Sequence, residues 1–230
     1  MKPIALIAAL FAAAFIAQAA EPKDEVLAAA KKLGEQSNYS WKSATTVPAS
    51  SQFRPGPVTG KADKEGTIYV TMEFNNNLTE AVVKGDKGAI TNQDGDWQSL
   101  AELDKDEGFG RFRAGMLRNL KAPATQIADL ANATSGLKKD GDAITGAVSA
   151  DGAKQFLRFG RGGNSETKNA SGDVKFWLKD GLVTKYEFRV KGTITFNGED
   201  REVDRTTTVD VSKVGETNLN VPEAAKKKLT

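Results

Sequence analysis

The last third of the chain alternates apolar and polar residues, which is the pattern of strands that bury one face. The alternation runs through three segments, 174–178, 182–196 and 203–211. Asp180-Gly181 and Asn197-Gly198 separate these segments, and such dipeptides favour tight antiparallel hairpins. The pattern predicts an antiparallel meander whose long middle strand bends or bulges at Gly192.

Shorter strands are predicted in the first two thirds of the chain. One half-buried strand is indicated by apolar residues at every second position, namely Ile68, Val70, Met72 and Phe74. Hairpins are predicted over 79–91 and 137–148, around turns that contain Gly. The polar segment 50–66, rich in Gly and Pro, predicts a long loop or an irregular edge strand, and 160–172 predicts a flexible loop.

Helical periodicity predicts five helices. Their ranges are 21–36, 109–120, 124–132, 151–157 and 222–229. In the second of them, apolar side chains recur at helical spacing and form one stripe, composed of Phe109, Phe112, Met116 and Leu120. We expect this stripe to face the sheet, because an apolar stripe at helical spacing normally packs on a core.

Together these elements predict an α+β fold in a single domain over 20–230. A long antiparallel sheet with one apolar face must cover that face. The central helix pair and the terminal helix are the amphipathic elements that can cover it. Since long antiparallel sheets coil, we expect a strongly curved antiparallel sheet, an incomplete β-barrel, wrapped around or covered by a few helices.

The N-terminus has the pattern of a secretory signal peptide. Lys2 supplies a positive charge, 4–16 is apolar, and Ala17-Gln18-Ala19 is a small-residue cleavage site. The apolar stretch is shorter than the roughly 20 residues of a membrane-spanning helix, and Glu21 follows closely. We expect cleavage after Ala19 and a soluble periplasmic or secreted chain with no integral membrane span.

Composition restricts the chemistry that the chain can perform. The 230 residues include no His and no Cys, which excludes Ser-His-Asp and Cys-His nucleophile systems, disulfides, and imidazole or thiolate metal sites. The 32 basic and 30 acidic residues are interspersed and give a net charge of +2, so the basic field typical of nucleic-acid binding is missing. We expect no enzymatic activity, no cofactor, no metal site and no nucleic-acid partner.

Several segments resemble the LolA-like superfamily, which includes periplasmic lipoprotein carriers and the mycobacterial LppX and LprG type lipid-binding proteins. The matching segments are the first helix before Tyr39-Ser40-Trp41, the central helices, the strand and turn 174–182 (VKFWLKDGL) and the closing 214–222. The chain also resembles exported proteins of bacteria such as planctomycetes and verrucomicrobia. The resemblance implies an incomplete barrel closed by helices around an apolar cavity that holds acyl chains. Unlike the mycobacterial members, this chain has no Cys to carry a lipid anchor, and the identity of the ligand does not carry over.

A carrier site of this kind depends on a concave apolar surface that excludes water. The candidate lining comes from the 109–120 helix and from the strands that we expect to face it, namely Val70, Met72, Phe74, Phe109, Phe112, Met116, Leu120, Phe176, Tyr186 and Phe188. For each of these residues the alternative is ordinary packing in the core.

The sequence therefore predicts an exported soluble protein that binds or carries a lipid, an acyl chain or another hydrophobic ligand in the periplasm. The alternative is a structural or interaction protein with a filled core and a protein partner in the cell envelope. A hydrolase would need paired carboxylates, but the acidic groups at 102–107 and 199–204 are interpreted as solvated faces. The alternating Asn92, Asp94 and Asp96 are interpreted as a turn rather than a calcium site.

Overall fold

A computed structural model gives the fold of residues 21–229, except 52–53, 75–76, 158–165 and 197. The described helices are α1 (Pro22–Gly34), α2 (Leu100–Leu103), α3 (Phe109–Arg118), α4 (Pro123–Ala133), α5 (Ala150–Leu157) and α6 (Glu223–Lys226). The described strands are β1 (Asn38–Thr46), β2 (Val58–Asp63), β3 (Thr67–Phe74), β4 (Asn77–Lys84), β5 (Lys87–Thr91), β6 (Trp97–Ser99), β7 (Thr134–Asp140), β8 (Ala143–Val148), β9 (Glu166–Lys179), β10 (Leu182–Phe196) and β11 (Glu199–Ser212). The signal peptide predicted over 1–19 lies outside the described residues.

The described strands form one antiparallel sheet in the order β6-β5-β4-β3-β2-β1-β11-β10-β9-β8-β7. Two meanders, β1 to β6 and β7 to β11, are joined where β1 pairs with β11. Within the described ranges the edge strands β6 and β7 pair with one neighbour each, so the sheet does not close. The predicted α+β class, with an incomplete barrel and a few helices, is confirmed.

Helices α1, α3, α4 and α5 pack on one face of the sheet, which we call the inner face. α1 begins with Pro22 in its first turn, a position that tolerates the missing N–H. It buries a stripe at helical spacing formed by Val26, Ala29, Ala30 and Leu33. α1 packs against α4 and β10, whereas α5 packs against β9 and β10. These three helices therefore cover the β7 to β11 half of the sheet.

Trp41 fills the middle of the inner face, at the junction of the two meanders. Its strand partners are Val211 on β11 and Gly60 on β2, and its side chain is only 5% exposed. A Cβ added to Gly60 would lie 2.1 Å from Cζ2 of the Trp41 ring. The indole therefore lies directly on the backbone of β2, and this close approach requires glycine at position 60.

Two buried tyrosines pack near Trp41. The rings of Tyr39 and Trp41 have centroids 6.0 Å apart. The Tyr39 hydroxyl accepts a hydrogen bond from the Ala124 backbone N–H at 3.4 Å, and the Tyr186 hydroxyl donates to the Gln126 side chain on α4. Burial raises the pKa of Tyr39 to about 12 and raises the pKa of Tyr186 well above its ordinary value. Both phenols are therefore neutral core groups that attach α4 to the sheet.

The terminal helix α6 packs on the opposite, outer face of the sheet. Its buried Ala225 contacts a small cluster with Val82 and Ala89, which point away from the inner face. The expectation that the terminal helix covers the same face as the central helices is therefore wrong. Lys228 attaches this end of the chain to α2, because its Nζ lies 2.6 Å from Oε1 of Glu102.

Two of the predicted loops are corrected. Within 50–66, residues 58–63 form β2, an interior strand between β1 and β3. The pattern was obscured because Gly60 replaces an apolar residue under the Trp41 ring. Within 160–172, β9 already begins at Glu166, and 158–165 lies outside the described residues.

The bulge predicted at Gly192 is confirmed. The pairing of β9 with β10 shifts register between Lys191 and Thr193. A Cβ at Gly192 would lie 2.9 Å from Cδ1 of Leu157, so the glycine leaves room for α5 to pack on the bulge. Gly192 is therefore a packing requirement as well as a bend.

We predict that Gly60→Ala lowers the free energy of unfolding by about 1 to 3 kcal/mol, the usual cost of overpacking a filled core. In a Trp41→Leu background, the same substitution is expected to cost much less, because the clashing ring is gone. The measurement is a double-mutant cycle by denaturant unfolding.

Gly34→Ala is the matched control. Its added Cβ would meet Ala124 at an ordinary 3.5 Å, so stability is expected to change by no more than about 1 kcal/mol. Equal costs of Gly60→Ala in the two backgrounds would contradict the proposed close approach.

Candidate functional site: the open end of the sheet

A single cross-strand row on the inner face shows where the helical cover stops. From β4 to β8, the row consists of Thr79, Met72, Val58, Ser43, Val209, Tyr186, Phe176 and Ile144. The four residues from Val209 to Ile144 are buried beneath helices. The four residues from Thr79 to Ser43 are only half-buried. The cover therefore ends at β1, and apolar side chains on β2 and β3 are left partly accessible.

The next row adds hydroxyl groups at the same end of β1. Thr45 pairs with Thr207, which pairs with Phe188 on β10. The Thr45 and Thr207 hydroxyl oxygens are 3.1 Å apart, and both residues are half-buried. We call this part of the inner face the open end; its sheet residues are Ser43, Thr45, Val58, Met72 and Thr207.

Helix α5 borders the open end on the β10 side. The half-buried Phe156 packs on Phe188 with ring centroids 5.7 Å apart. The Arg205 guanidinium, on the inner side of β11, donates a hydrogen bond to the Phe156 carbonyl. A cation at a helix C-terminus is favourable for the helix dipole. Arg205 thus holds the end of α5.

Helix α3 lies over the other half of the inner face and points toward the open end. Its Leu117 packs above Gly88 near the start of β5, at 3.5 Å from the position of an added Cβ. Arg113, one turn earlier, donates to the Thr91 carbonyl at the end of β5. Since a helix advances about 5.4 Å per turn, Phe109 lies beyond the end of β5. Met72 on β3 and Ser43 on β1 lie in the same direction: in the register of the sheet, each is beyond the residue of its own strand that aligns with Thr91.

The orientation of α3 differs from the sequence prediction. The helix buries the stripe Gly110, Arg113, Ala114 and Leu117. The predicted core stripe lies on its flank, where Phe109 is 55% exposed and Phe112 is 40% exposed. The two rings stack with centroids 5.9 Å apart. The apolar stripe does not face the sheet, because Arg113 occupies the buried position of the helix and its guanidinium donates a hydrogen bond to the sheet.

Polar groups hold α3 in this orientation. The Arg113 guanidinium donates to the Gln98 side-chain oxygen at 2.6 Å as well as to the Thr91 carbonyl. Burial lowers the pKa of Arg113, and the nearby Asp106 carboxylate acts in the opposite direction. Gly108 precedes the helix with a φ of 65° and supplies no side-chain cap. A ten-residue helix with two internal glycines is intrinsically weak, so its place depends on these contacts.

The structure separates the predicted lining residues into three groups. Val70, Phe176, Tyr186 and Phe188 are at most 6% exposed and belong to the packed core. The half-buried members are Met72, Met116 and Leu120. The exposed members are Phe109 and Phe112, while the side chain of Phe74 is not among those described.

Sequence reasoning missed several residues of the open end. Ser43 and Thr45 are polar residues on a strand, and their sequence pattern does not indicate that they face inward. Val58 was assigned to a loop, and Phe156 was treated only as part of a short helix. The alternation of β11 places Thr207 on the same face as Val209 and Val203, which is the one signal that could have identified it.

Two hollows in the described part of the chain are lined by other residues. One, of about 630 Å³, lies between α1 and the β9–β10 turn and is lined by Ala28, Lys32 and Leu178 among others. Another, of about 210 Å³, lies on the outer face beside Arg189 and Lys191. The open end is therefore an exposed surface rather than one of these hollows.

Two of the acidic residues considered for hydrolysis, Glu102 and Asp204, lie in ion pairs and hydrogen bonds. Hydrogen bonds from Lys228 and Ser99 lower the pKa of Glu102 to about 2. Asp204 accepts a bidentate hydrogen bond from Arg189, which lowers the pKa of Asp204. Each of these carboxylates already has a basic partner, and among the described residues no three His, Cys, Asp or Glu residues cluster as a metal site would require.

The loop at 92–96 is a turn, as interpreted from the sequence. The Asn92 side-chain oxygen accepts hydrogen bonds from the backbone N–H of Asp94 at 3.0 Å and of Asp96 at 2.8 Å. Side chains of this type often stabilise such turns.

Comparison with solved structures finds proteins of low sequence identity that align with most of this chain. The lipoprotein LppX of Mycobacterium tuberculosis is 13% identical, with a TM-score of 0.49, over 87% of this chain and 98% of that chain. LprF from Mycobacterium bovis is 12% identical, with a TM-score of 0.44, over 89% and 97%. A DUF1329 family protein from Desulfovibrio piger is 8% identical, with a TM-score of 0.30, over 91% and 98%. LppX is also one of the protein types that segments of the sequence resemble.

No family model and no curated protein matches the sequence. None of the helices in the described ranges combines the length and apolar character of a membrane span.

We predict that Arg113→Met loosens α3. The methionine keeps much of the apolar stem but leaves the Thr91 carbonyl and Gln98 without their donor, a loss of about 1 to 3 kcal/mol. Amide hydrogen exchange across α3 is then expected to accelerate by about 10-fold or more, with α1 and α4 unchanged.

The control is Arg111→Met, because Arg111 is exposed on the same helix. It should leave the exchange pattern of the wild type. Uniform acceleration over the whole protein, or none in α3, would show that Arg113 is not the anchor.

Proposed function

We propose that this protein binds a hydrophobic ligand, such as an acyl chain, at the open end between α3 and α5. The observation that carries the proposal is the flank of α3, where the stacked Phe109 and Phe112 remain substantially exposed. Among the described residues, the exposed large hydrophobic side chains are these two and Leu78. Clustered exposed aromatics typically mark an interaction site.

The open end offers contacts of two kinds. Val58, Met72 and Phe156 are half-buried apolar side chains that can cover a hydrocarbon. Ser43 and the Thr45–Thr207 pair can hydrogen-bond the polar end of an amphiphile. Hydrophobic sites usually combine a broad apolar lining with a few polar groups that orient the ligand.

Entry of a long chain requires movement of α3. The inner face beneath that helix contains Val70, Ala81, Val83 and Ile90, which are buried in the described structure. Each ligand methylene removed from water contributes about 0.8 kcal/mol. A chain of several methylenes can therefore offset the loss of the Arg113 hydrogen bonds, each worth about 1.5 to 3 kcal/mol for a charged group.

We also propose which residues form the mature domain and in which compartment it acts. We propose that residues 1–19 are a signal peptide, that 20–230 form one domain, and that the domain acts in the periplasm or outside the cell. A binding role of this kind uses contacts rather than chemistry, so we propose a non-enzymatic protein.

A second candidate is a structural or interaction protein with a filled core and an envelope protein partner. It is favoured by the packing of Tyr39, Trp41 and Tyr186, each at most 5% exposed. These rings occupy the centre of the inner face, where a cavity for a ligand would otherwise lie. The two candidates differ in whether the open end takes up an apolar molecule.

We predict that the protein binds cis-parinaric acid, a fluorescent fatty acid, and that Phe112→Ser weakens binding by about 10-fold or more. Loss of one partly buried aromatic contact is worth about 1.5 to 3 kcal/mol. Met72→Asn should weaken binding in the same direction. The measurement is a fluorescence titration, with thermal unfolding to verify that each variant is folded.

Leu78→Ser provides the control, because Leu78 is 68% exposed on β4 and pairs with Glu73, one position away from the inward-facing Thr79–Met72 pair. It should bind like the wild type. No probe binding by the folded wild type would exclude the ligand site and favour the filled-core candidate.

We predict that the full chain, produced in a bacterial host with a secretion pathway, is recovered from the periplasm with Ala20 as its first residue. Mass spectrometry of the intact protein measures this. Ala19→Arg should block processing, because the cleavage site requires a small residue. Recovery of a chain that keeps Met1 would remove the export proposal without affecting the ligand site.

A further inference from the structure

We propose that the exposed arc of α3, formed by Phe109, Arg111, Phe112 and Arg118, is a docking surface for an anionic lipid bilayer. The inference rests on the proposed function, because it identifies the bilayer as the place where the hydrophobic ligand is collected or delivered. It adds the exposed Arg111 and Arg118 to the phenylalanines that flank the open end, and these two arginines take no part in the proposed ligand site.

The exposed arc of α3 has an aromatic half and a basic half. Successive residues are about 100° apart around an α-helix, and the buried stripe centres on Leu117 and Gly110. Opposite this stripe, Phe112 and Phe109 lie on one side of the arc, and Arg111 and Arg118 lie on the other. Helices that lie in a membrane interface combine these two features, since aromatics enter the acyl boundary and basic groups contact phosphates.

The charge of α3 favours an anionic partner. The helix contains three arginines and no acidic residue (FGRFRAGMLR). Arg111 is exposed, and Arg118 forms an ion pair with Asp104 at 2.5 Å in which both side chains are about half exposed. An exposed pair of this kind is weak, so a phosphate can replace the Asp104 carboxylate. The acidic residues Asp106 and Glu107 precede the helix rather than lying within it.

The size of the apolar patch favours a bilayer over a second protein copy. A stable protein interface buries about 1,200 Å² or more in total, whereas the patch is built on two exposed aromatic rings. Interfacial binding needs less, because a few inserted side chains act together with attraction to anionic lipids.

The position of the arc relates docking to the ligand site. Phe109 and Phe112 lie in the first turns of α3, and Phe109 lies beyond the end of β5, at the end of the sheet where Met72 and Ser43 are half-buried. A bilayer seated on this arc therefore faces the open end. The helix is held by the Arg113 hydrogen bonds and by the short buried stripe with Ala114 and Leu117, so insertion of its aromatics can pull it from the sheet and admit a lipid tail.

The test is flotation of the full chain with two kinds of vesicle. One contains only phosphatidylcholine, and the other contains equal parts of phosphatidylcholine and phosphatidylglycerol. We expect binding to the anionic vesicles that weakens with added salt. Phe109→Ser combined with Phe112→Ser should reduce this binding by about 10-fold or more, and Arg111→Glu should reduce it by about 10-fold.

Two controls separate the docking surface from general effects. Leu78→Ser removes an exposed apolar side chain elsewhere, and Lys87→Glu reverses an exposed charge on β5. Both should bind vesicles like the wild type. Arg111→Glu should also keep full affinity for cis-parinaric acid, because Arg111 does not line the open end.

The outcomes of the vesicle and probe assays are distinguishable. Absence of vesicle binding, equal binding to both kinds of vesicle, or full binding by Arg111→Glu would each overturn the docking surface and leave the ligand site intact. Association of the protein with itself or with another protein through Phe112, in place of lipid, would also overturn it. Vesicle binding without binding of the fatty-acid probe supports docking and removes the ligand site.

Discussion

The contact between Trp41 and the backbone of Gly60 sets the geometry of the whole molecule. β1 is the strand that joins the two meanders, since it pairs with β2 on one side and β11 on the other. A large ring at this junction must lie flat, and it can do so because Gly60 has no side chain. The ring fills the middle of the inner face, so the remaining accessible surface is displaced toward the far end of β1. The open end therefore depends on what occupies the centre as well as on how far the helices reach.

Helix α3 places its polar and apolar side chains in the reverse of the usual arrangement. An arginine occupies its buried position and two phenylalanines occupy its surface. For stability alone, the reverse assignment would be better, because a partly exposed aromatic ring gains less from burial than a fully buried one and a buried guanidinium loses hydration. Departures of this kind from local rules occur most often at functional sites. The weak helix, its polar anchor and its apolar flank are all features that a movable cover over a hydrophobic site requires.

The architecture was predictable from sequence to the extent that local signals agree with tertiary packing. The meander over β9 to β11 follows from alternation and from the Asp180-Gly181 turn, and the bulge at Gly192 follows from its glycine. β2 was missed because its central position is a glycine beneath an indole, a contact that arises only between strands. The prediction of the buried face of α3 was wrong for a similar reason. Periodicity identifies an apolar stripe, but the hydrogen-bond partner of Arg113 lies on β5, 22 residues away.

The candidate site was less predictable than the fold, because its defining property is incomplete burial. Tyr186 and Met72 lie in the same cross-strand row and have the same apolar pattern in sequence, yet one is 1% exposed and the other is half-buried. The difference arises from the reach of α1, α4 and α5, which cover β10 and stop short of β3. An amphiphile placed at Met72 would continue the apolar layer that these helices provide. Its polar end would then meet the Thr45 and Thr207 hydroxyls, which belong to half-buried residues.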